Sequence, residues 1–110
     1  MNSTSLTRLG EEQLEKARAA SSGRAAVTVH GGQEHDLRQT LVALAAGRTM
    51  GEHEAPDEAT LQVLVGTVRL AAGDEVWHGS AGDFVVIPDR RHDLHAETDA
   101  VVLLTVATRA

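Results

Sequence analysis

The sequence contains no cysteine and no tyrosine, and Trp77 and Phe84 are its only aromatic residues. The lack of cysteine excludes a disulfide framework, a thiolate metal site and a cysteine nucleophile. With so few aromatic rings among 110 residues, the hydrophobic core has to be built from aliphatic side chains. The longest apolar run, residues 41–46, is too short to cross a bilayer, and the first residues lack the pattern of a secretion signal. We therefore expect a cytoplasmic protein with no membrane partner.

Cationic residues are also scarce, because ten Lys and Arg residues oppose 16 Asp and Glu residues. The resulting net charge of −6 disfavours binding to a phosphate backbone, so we expect no nucleic-acid partner. Nine of the ten cations are arginine, which suggests a bacterial, GC-rich genome. A chain of this length with 42% apolar residues has enough material for one core.

The first 24 residues differ in pattern from the rest of the chain. Leu6, Leu9, Leu14 and Ala17 recur at helical spacing, and Gly23 lies where a helix often ends. We therefore predict an amphipathic helix over residues 6–21 and divide the chain into a helix with its linker (1–24) and a main body (25–110). The helix is expected to pack against the main body, although docking onto a partner remains the alternative.

Short apolar runs separated by glycine-rich turns make up the main body. We predict eight strands, at residues 26–30, 37–46, 60–65, 67–71, 75–78, 84–87, 91–96 and 100–107. A hairpin turn is expected at residues 71–75, around Gly73. The pattern predicts an all-β sandwich or barrel with one N-terminal α-helix.

Two glycine-led motifs lie within this strand region. Five residues separate Gly47 from His53, Gly66 follows 13 residues after His53, and five residues separate Gly82 from Pro88. This arrangement resembles the two-part signature of the cupin family, G-x5-H-x-H-x3or4-E-x6-G and G-x5-P-x-G-x2-H. The resemblance covers about residues 25–107. It implies a jelly-roll β-sandwich or barrel and a homodimer.

The sequence departs from the family pattern at the positions of the metal ligands. In metal-binding cupins, two His and one Glu of the first motif and one His of the second motif hold the ion. By resemblance, His53 matches the first ligand, whereas Ala55 and Ala59 occupy the second His and the Glu positions. His92 matches the last ligand if one residue is deleted after Pro88. Two imidazoles therefore remain as candidate ligands for a divalent metal such as Zn, Ni, Fe or Mn.

A third ligand would be needed, because protein sites with two side-chain ligands bind metal weakly. Asp57 and Glu58 are candidates, since they precede the strand at 60–65. His95 is a poor candidate, because strand alternation would place it on the face opposite His92. His30, His35 and His78 have no second ligand at a suitable spacing, so we expect surface or structural roles for them. Trp77 is expected to cover the sandwich or a subunit contact.

Strand alternation also predicts the lining of a pocket. Ala59, Leu61, Val63 and Val65 share one face of their strand. By resemblance, Ala59, Leu61 and Val63 line the barrel interior with His53, Ala55 and His92. Such a pocket suits a small, largely apolar organic molecule. The sequence therefore favours a binding protein without turnover.

Other functions stay open. The main alternative is a metal-dependent enzyme of the dioxygenase or isomerase class that uses His53 and His92. A structural dimer with an empty pocket is a further alternative. Arg90 and Arg91 are expected to be a solvated pair, with carboxylate binding as the alternative.

Overall fold

The computed structural model describes residues 1–51 and 58–107 and begins with one helix. Helix α1 spans Leu6–Ala19, and the side chain of Ser5 accepts a hydrogen bond from the backbone N–H of Arg8. Leu14 and Ala17 are buried, in agreement with the predicted apolar stripe. The helix ends two residues earlier than predicted.

Eight strands follow the helix among residues 1–51 and 58–107, and they confirm the eight predicted segments. They are β1 (Arg24–His30), β2 (Leu37–Leu44), β3 (Glu58–Val65), β4 (Thr67–Ala72), β5 (Glu75–Ser80), β6 (Phe84–Val86), β7 (Asp93–Ala96) and β8 (Ala100–Ala107). They form a five-stranded sheet in the order β1-β2-β8-β3-β6 and a three-stranded sheet in the order β5-β4-β7. All pairings between these strands are antiparallel. The fold is therefore the all-β jelly roll with an N-terminal helix that the sequence predicts.

Two apolar clusters fill the molecule. The inner core lies between the sheets and takes residues from β2, β3, β4, β7 and β8. The outer core lies between α1 and the five-stranded sheet and includes Leu14, Leu41 and Leu103. Because the five-stranded sheet is apolar on both faces, four consecutive residues of β2 are buried.

The chain changes from one sheet to the other at Gly66, between β3 and β4. Gly66 has a φ of 80°, and an added Cβ would collide with the backbone oxygen of Asp99. Only glycine fits this crossing point without strain. The hairpin expected at residues 71–75 forms around Gly73, which also has a positive φ.

Residues 47–50 cover the free edge of β7. The backbone N–H of Gly47 donates to the carbonyl of Ala96, and that of Met50 donates to the carbonyl of Leu94. This strip leads directly to residues 52–57. No helix among the described residues is long and apolar enough to cross a membrane.

Candidate functional site

The apolar residues predicted to line the barrel interior lie on the inner face of β3. Ala59, Leu61 and Val63 are all buried and belong to the inner core. Val65 breaks the alternation and is 45% exposed, because the pairing with β8 shifts register between Val63 and Val65. His53 and Ala55 lie outside the described residues, as does Asp57. Of the six predicted site residues, the structure thus places three, Ala59, Leu61 and Val63, on one buried face.

The inner face of β3 provides no metal donor at the position where the family motif has Glu. Ala59 is 4% exposed and occupies that position, whereas its neighbour Glu58 is exposed at the first residue of β3. Among residues 1–51 and 58–107, no three His, Cys, Asp or Glu side chains are close enough together to hold a metal ion. Of the two predicted imidazole ligands, the structure describes His92. A single imidazole does not hold a transition metal tightly.

His92 lies directly before β7 and is half-buried. Its Nδ1 donates a hydrogen bond to the carbonyl oxygen of Arg90 at 3.0 Å. It lines a cavity of about 470 Å³ together with Arg90, Arg91, Asp93 and His95. His95 borders the same cavity, and the expectation that the two imidazoles lie on opposite faces stays a prediction, because His92 lies before the first residue of β7.

A second cavity opens between the two sheets at the end that carries the β4–β5 hairpin. It has a volume of about 180 Å³, and the residues that line it include Leu70, Ala72, Trp77, Val85 and Pro88. We call it the mouth cavity. Its lining is mainly apolar, and Val85 pairs with Leu61 of the β3 face described above.

Trp77 forms one wall of the mouth cavity and packs against the inner core, in line with the expectation that it covers the sandwich. Its indole lies across the backbone of Gly79, where any added Cβ would collide with the ring. Gly79 therefore makes room for the indole over β5.

The outer face of the three-stranded sheet is polar. His78 Nδ1 lies 2.9 Å from Glu97 Oε1. At the β4–β5 hairpin end of the sheet, Arg90 forms an ion pair of 2.6 Å with Glu75. His95 Nε2 lies 3.0 Å from Asp93 Oδ2, and the other oxygen of Asp93 accepts a hydrogen bond from Thr49. The expected surface role of His78 agrees with its exposure and its carboxylate partner.

Comparison with known proteins decides the family. The cupin domain model matches residues 40–107, which is more than half of the chain and includes both glycine-led motifs. The chain belongs to the cupin family. No curated protein is significantly similar to this cupin.

Solved structures support the same fold. A conserved protein of unknown function from Streptococcus pyogenes is 25% identical, with a TM-score of 0.72 over 83% of this chain and 79% of its own. A cupin superfamily protein from Desulfitobacterium hafniense is 14% identical, with a TM-score of 0.71 over 78% of both chains. A salicylate 1,2-dioxygenase from Pseudaminobacter salicylatoxidans is 20% identical, with a TM-score of 0.76. The alignment covers 91% of this cupin and only 33% of the dioxygenase chain.

Sequence reasoning missed two features of this region. The mouth cavity combines residues of β4, β5 and β6 that no single motif contains. Arg69, in the middle of β4, belongs to no motif that would single it out in the sequence. Strand pairing places it between two histidines, which only the register reveals.

Proposed function

We propose that this cupin binds a small, largely apolar organic molecule between its two sheets, without turnover. The observation that supports this most directly is the buried Ala59, which replaces a carboxylate ligand by a methyl group at the inner face. An interior lined by Ala59, Leu61 and Val63 favours an apolar ligand through burial of apolar surface. His53 and His92 would provide its polar contacts.

The volume of the mouth cavity indicates how large the bound part of the ligand is. An apolar cavity of about 150 Å³ holds a molecule the size of benzene, and the mouth cavity measures about 180 Å³. We therefore expect a ligand whose buried part is about one ring. Trp77 would stack on that ring or cover its edge, since aromatic pairs favour offset and edge-to-face contacts.

Filling the mouth cavity tests this proposal. Phenol serves as the probe, and its binding is followed by the shifts of backbone amide resonances in the full-length protein. We expect shifts at Leu70, Trp77 and Val85, and their loss in Ala72→Leu. Ala26→Leu, at an exposed position of β1, is the matched control and should bind phenol like the wild type. Equal phenol binding by wild type and Ala72→Leu would contradict the proposal.

The metal-dependent enzyme remains the competing function, because His53 and His92 are both retained. Metal content of the purified wild type, His53→Ala and His92→Ala distinguishes the two functions. We expect substoichiometric metal in all three proteins. Near-stoichiometric metal in the wild type that is lost in both variants would overturn the binding function in favour of metal chemistry.

We also propose that this cupin is a homodimer, as the family resemblance implies. Strand β6 is an edge of the five-stranded sheet, and its Phe84 and Val86 are 59% and 63% exposed. Edge strands of monomeric proteins usually carry charges that prevent pairing, and residues 84–86 carry none. Light scattering should give twice the chain mass, and Phe84→Lys should give the monomer mass. A monomeric wild type would contradict the proposal. The cytoplasmic location stays a prediction.

A further inference from the structure

Strand β6 pairs with β3 on one side and forms a free edge on the other, within the part of the chain that the structure describes. Its bonds to β3 use alternate residues, because the carbonyl of Asp83 accepts a hydrogen bond from β3 and the N–H of Ile87 donates one to it. Backbone groups of neighbouring residues in an antiparallel strand point to opposite sides. The N–H and C=O groups of Phe84 and Val86 therefore point away from β3, toward the free edge.

The side chains along this edge are apolar. Phe84 and Val86 are exposed, whereas Val85 is partly buried and packs against the inner core. Residues 84–86 carry no charge, although charged side chains are the usual protection of a free edge. Val76, on the free edge of β5 at the other side of the mouth cavity, is also exposed. Exposed apolar surface thus lies on both sides of the mouth cavity.

The β6 edge is complementary to a second copy of itself. When two β6 strands pair antiparallel about a two-fold axis at Val85, Phe84 of each copy lies opposite Val86 of the other. Each of these two residue pairs exchanges two backbone hydrogen bonds, so every backbone group that faces the edge gains a partner. The same register places an aromatic ring beside a β-branched side chain on the outer face, which is a favourable cross-strand pair. The occupant that fits this edge is therefore a second copy of the chain.

On the inner face, this pairing brings Val85 of the second copy next to Val85 of the first. Val76, Val85 and Val86 all line the mouth cavity, so the second copy lies across the side of the cavity that borders the β6 edge. We propose that the second copy completes the mouth cavity with its own Val85, and that the apolar ligand and the second copy bind cooperatively. This inference rests on the apolar ligand proposed above and adds what closes its site. Because coupling between two binding events is reciprocal, the ligand must then tighten the dimer.

Sedimentation velocity of the full-length protein over a dilution series, with and without saturating phenol, tests the inference. We expect phenol to lower the dissociation constant of the dimer by at least about fivefold, the lower end of typical coupling, and to have no such effect in Ala72→Leu. Phe84→Lys should be monomeric and should bind phenol about fivefold more weakly, although Phe84 does not line the mouth cavity. Leu37→Lys introduces the same charge at an exposed leucine three strands away and should change either constant by less than about twofold.

Three results would overturn the inference while phenol still binds in the mouth cavity. They are a wild type that stays monomeric with phenol, a dimer dissociation constant that phenol does not change, and equal phenol affinity of wild type and Phe84→Lys. Absence of phenol binding by the wild-type dimer would instead reject the proposed function, and this inference with it. If Phe84→Lys does not fold, the phenol affinity of the wild type is measured above and below its dimer dissociation constant, and equal affinities would overturn the inference.

Discussion

The two sheets of this cupin are built differently, although each contributes one face to the same inner core. In the five-stranded sheet, β2 and β8 each bury four consecutive residues, because α1 covers one face and the inner core the other. In the three-stranded sheet, β4 alternates between buried and half-buried residues. Its outer face carries Arg69, His78 and His95 and is not covered by the helix.

This difference determines which strands contribute most to stability. A strand that is apolar on both faces contributes burial from every residue, and burial is the main favourable term in folding. A strand with one polar face leaves half of its positions unconstrained by the core. On β4 and β7, Arg69, Asp93 and His95 occupy such positions. We therefore expect substitutions in the five-stranded sheet to lower the free energy of unfolding more than those on the outer face of β4 and β7.

Removal of the helix should have the largest effect. Deletion of residues 1–22 exposes the outer core, including Leu41, Val101 and Leu103. Each such side chain contributes about 1.5–3 kcal/mol when buried, so the loss should reach on the order of 5 kcal/mol, comparable to the total stability of many domains. Thermal and urea unfolding measure the loss. Deletion of the exposed residues 1–4 is the control and should leave the transition unchanged. Equal stability of both truncated proteins would contradict the conclusion that α1 stabilises the five-stranded sheet by covering its outer core.

Truncation of one leucine on β2 should have the next largest effect. Leu41 is fully buried in the outer core, whereas Leu37 on the same strand is 44% exposed. Leu41→Ala should lower the free energy of unfolding by about 2–5 kcal/mol, the range for buried leucines. Leu37→Ala is the matched control, and its effect should stay below about 1 kcal/mol. Similar losses of unfolding free energy for the two variants in urea denaturation would show that the helix does not bury this face of β2.

The same contrast explains what could be predicted from the sequence. The eight strands were predictable because glycine and apolar runs mark them, and the inner face of β3 followed from alternation at Ala59, Leu61 and Val63. Alternation placed Val65 on the same face, and this was wrong, since the register shift beside it depends on pairing with β8. Arg69 and the two cavities depend on which strands become neighbours. That information is spread over residues far apart in the chain and leaves no local pattern.

The third prediction concerns a double variant that should turn the inner face of β3 into a metal site. By the family motif, Ala55→His together with Ala59→Glu restores the two missing ligands beside His53 and His92. We expect the double variant to bind Zn²⁺ or Ni²⁺ more tightly than the wild type, since imidazole and carboxylate suit these ions. The cost in stability should be about 1–3 kcal/mol, because the introduced carboxylate side chain would enter a packed core. Calorimetric metal titration checks this, with Ala26→Glu on exposed β1 as the control. A folded double variant with wild-type metal affinity would show that the motif is misaligned.

The smallest effect is expected at Asp99, which connects the helix to the turn after β2. Its carboxylate accepts a hydrogen bond from the backbone N–H of Ala46 at 2.8 Å and pairs with Arg18 of α1 at 2.7 Å. The Ala46 N–H first, and Arg18 second, hold the pKa of Asp99 below its ordinary value of 3.8. A lowered folded-state pKa adds stability above the ordinary pKa, and this stability is lost as the pH falls through the lowered value.

Asp99→Asn should therefore be less stable than the wild type near neutral pH, and the difference should shrink at acidic pH, as the pH falls through the lowered pKa of Asp99. Because the ion pair is partly exposed, we expect a loss below about 1 kcal/mol. Urea unfolding at both pH values measures it, and Asp74→Asn in the exposed β4–β5 turn is the control. A loss that is independent of pH would mean that Asp99 acts through its shape and its hydrogen bonds, and its charge would then have no part in holding α1 against the five-stranded sheet.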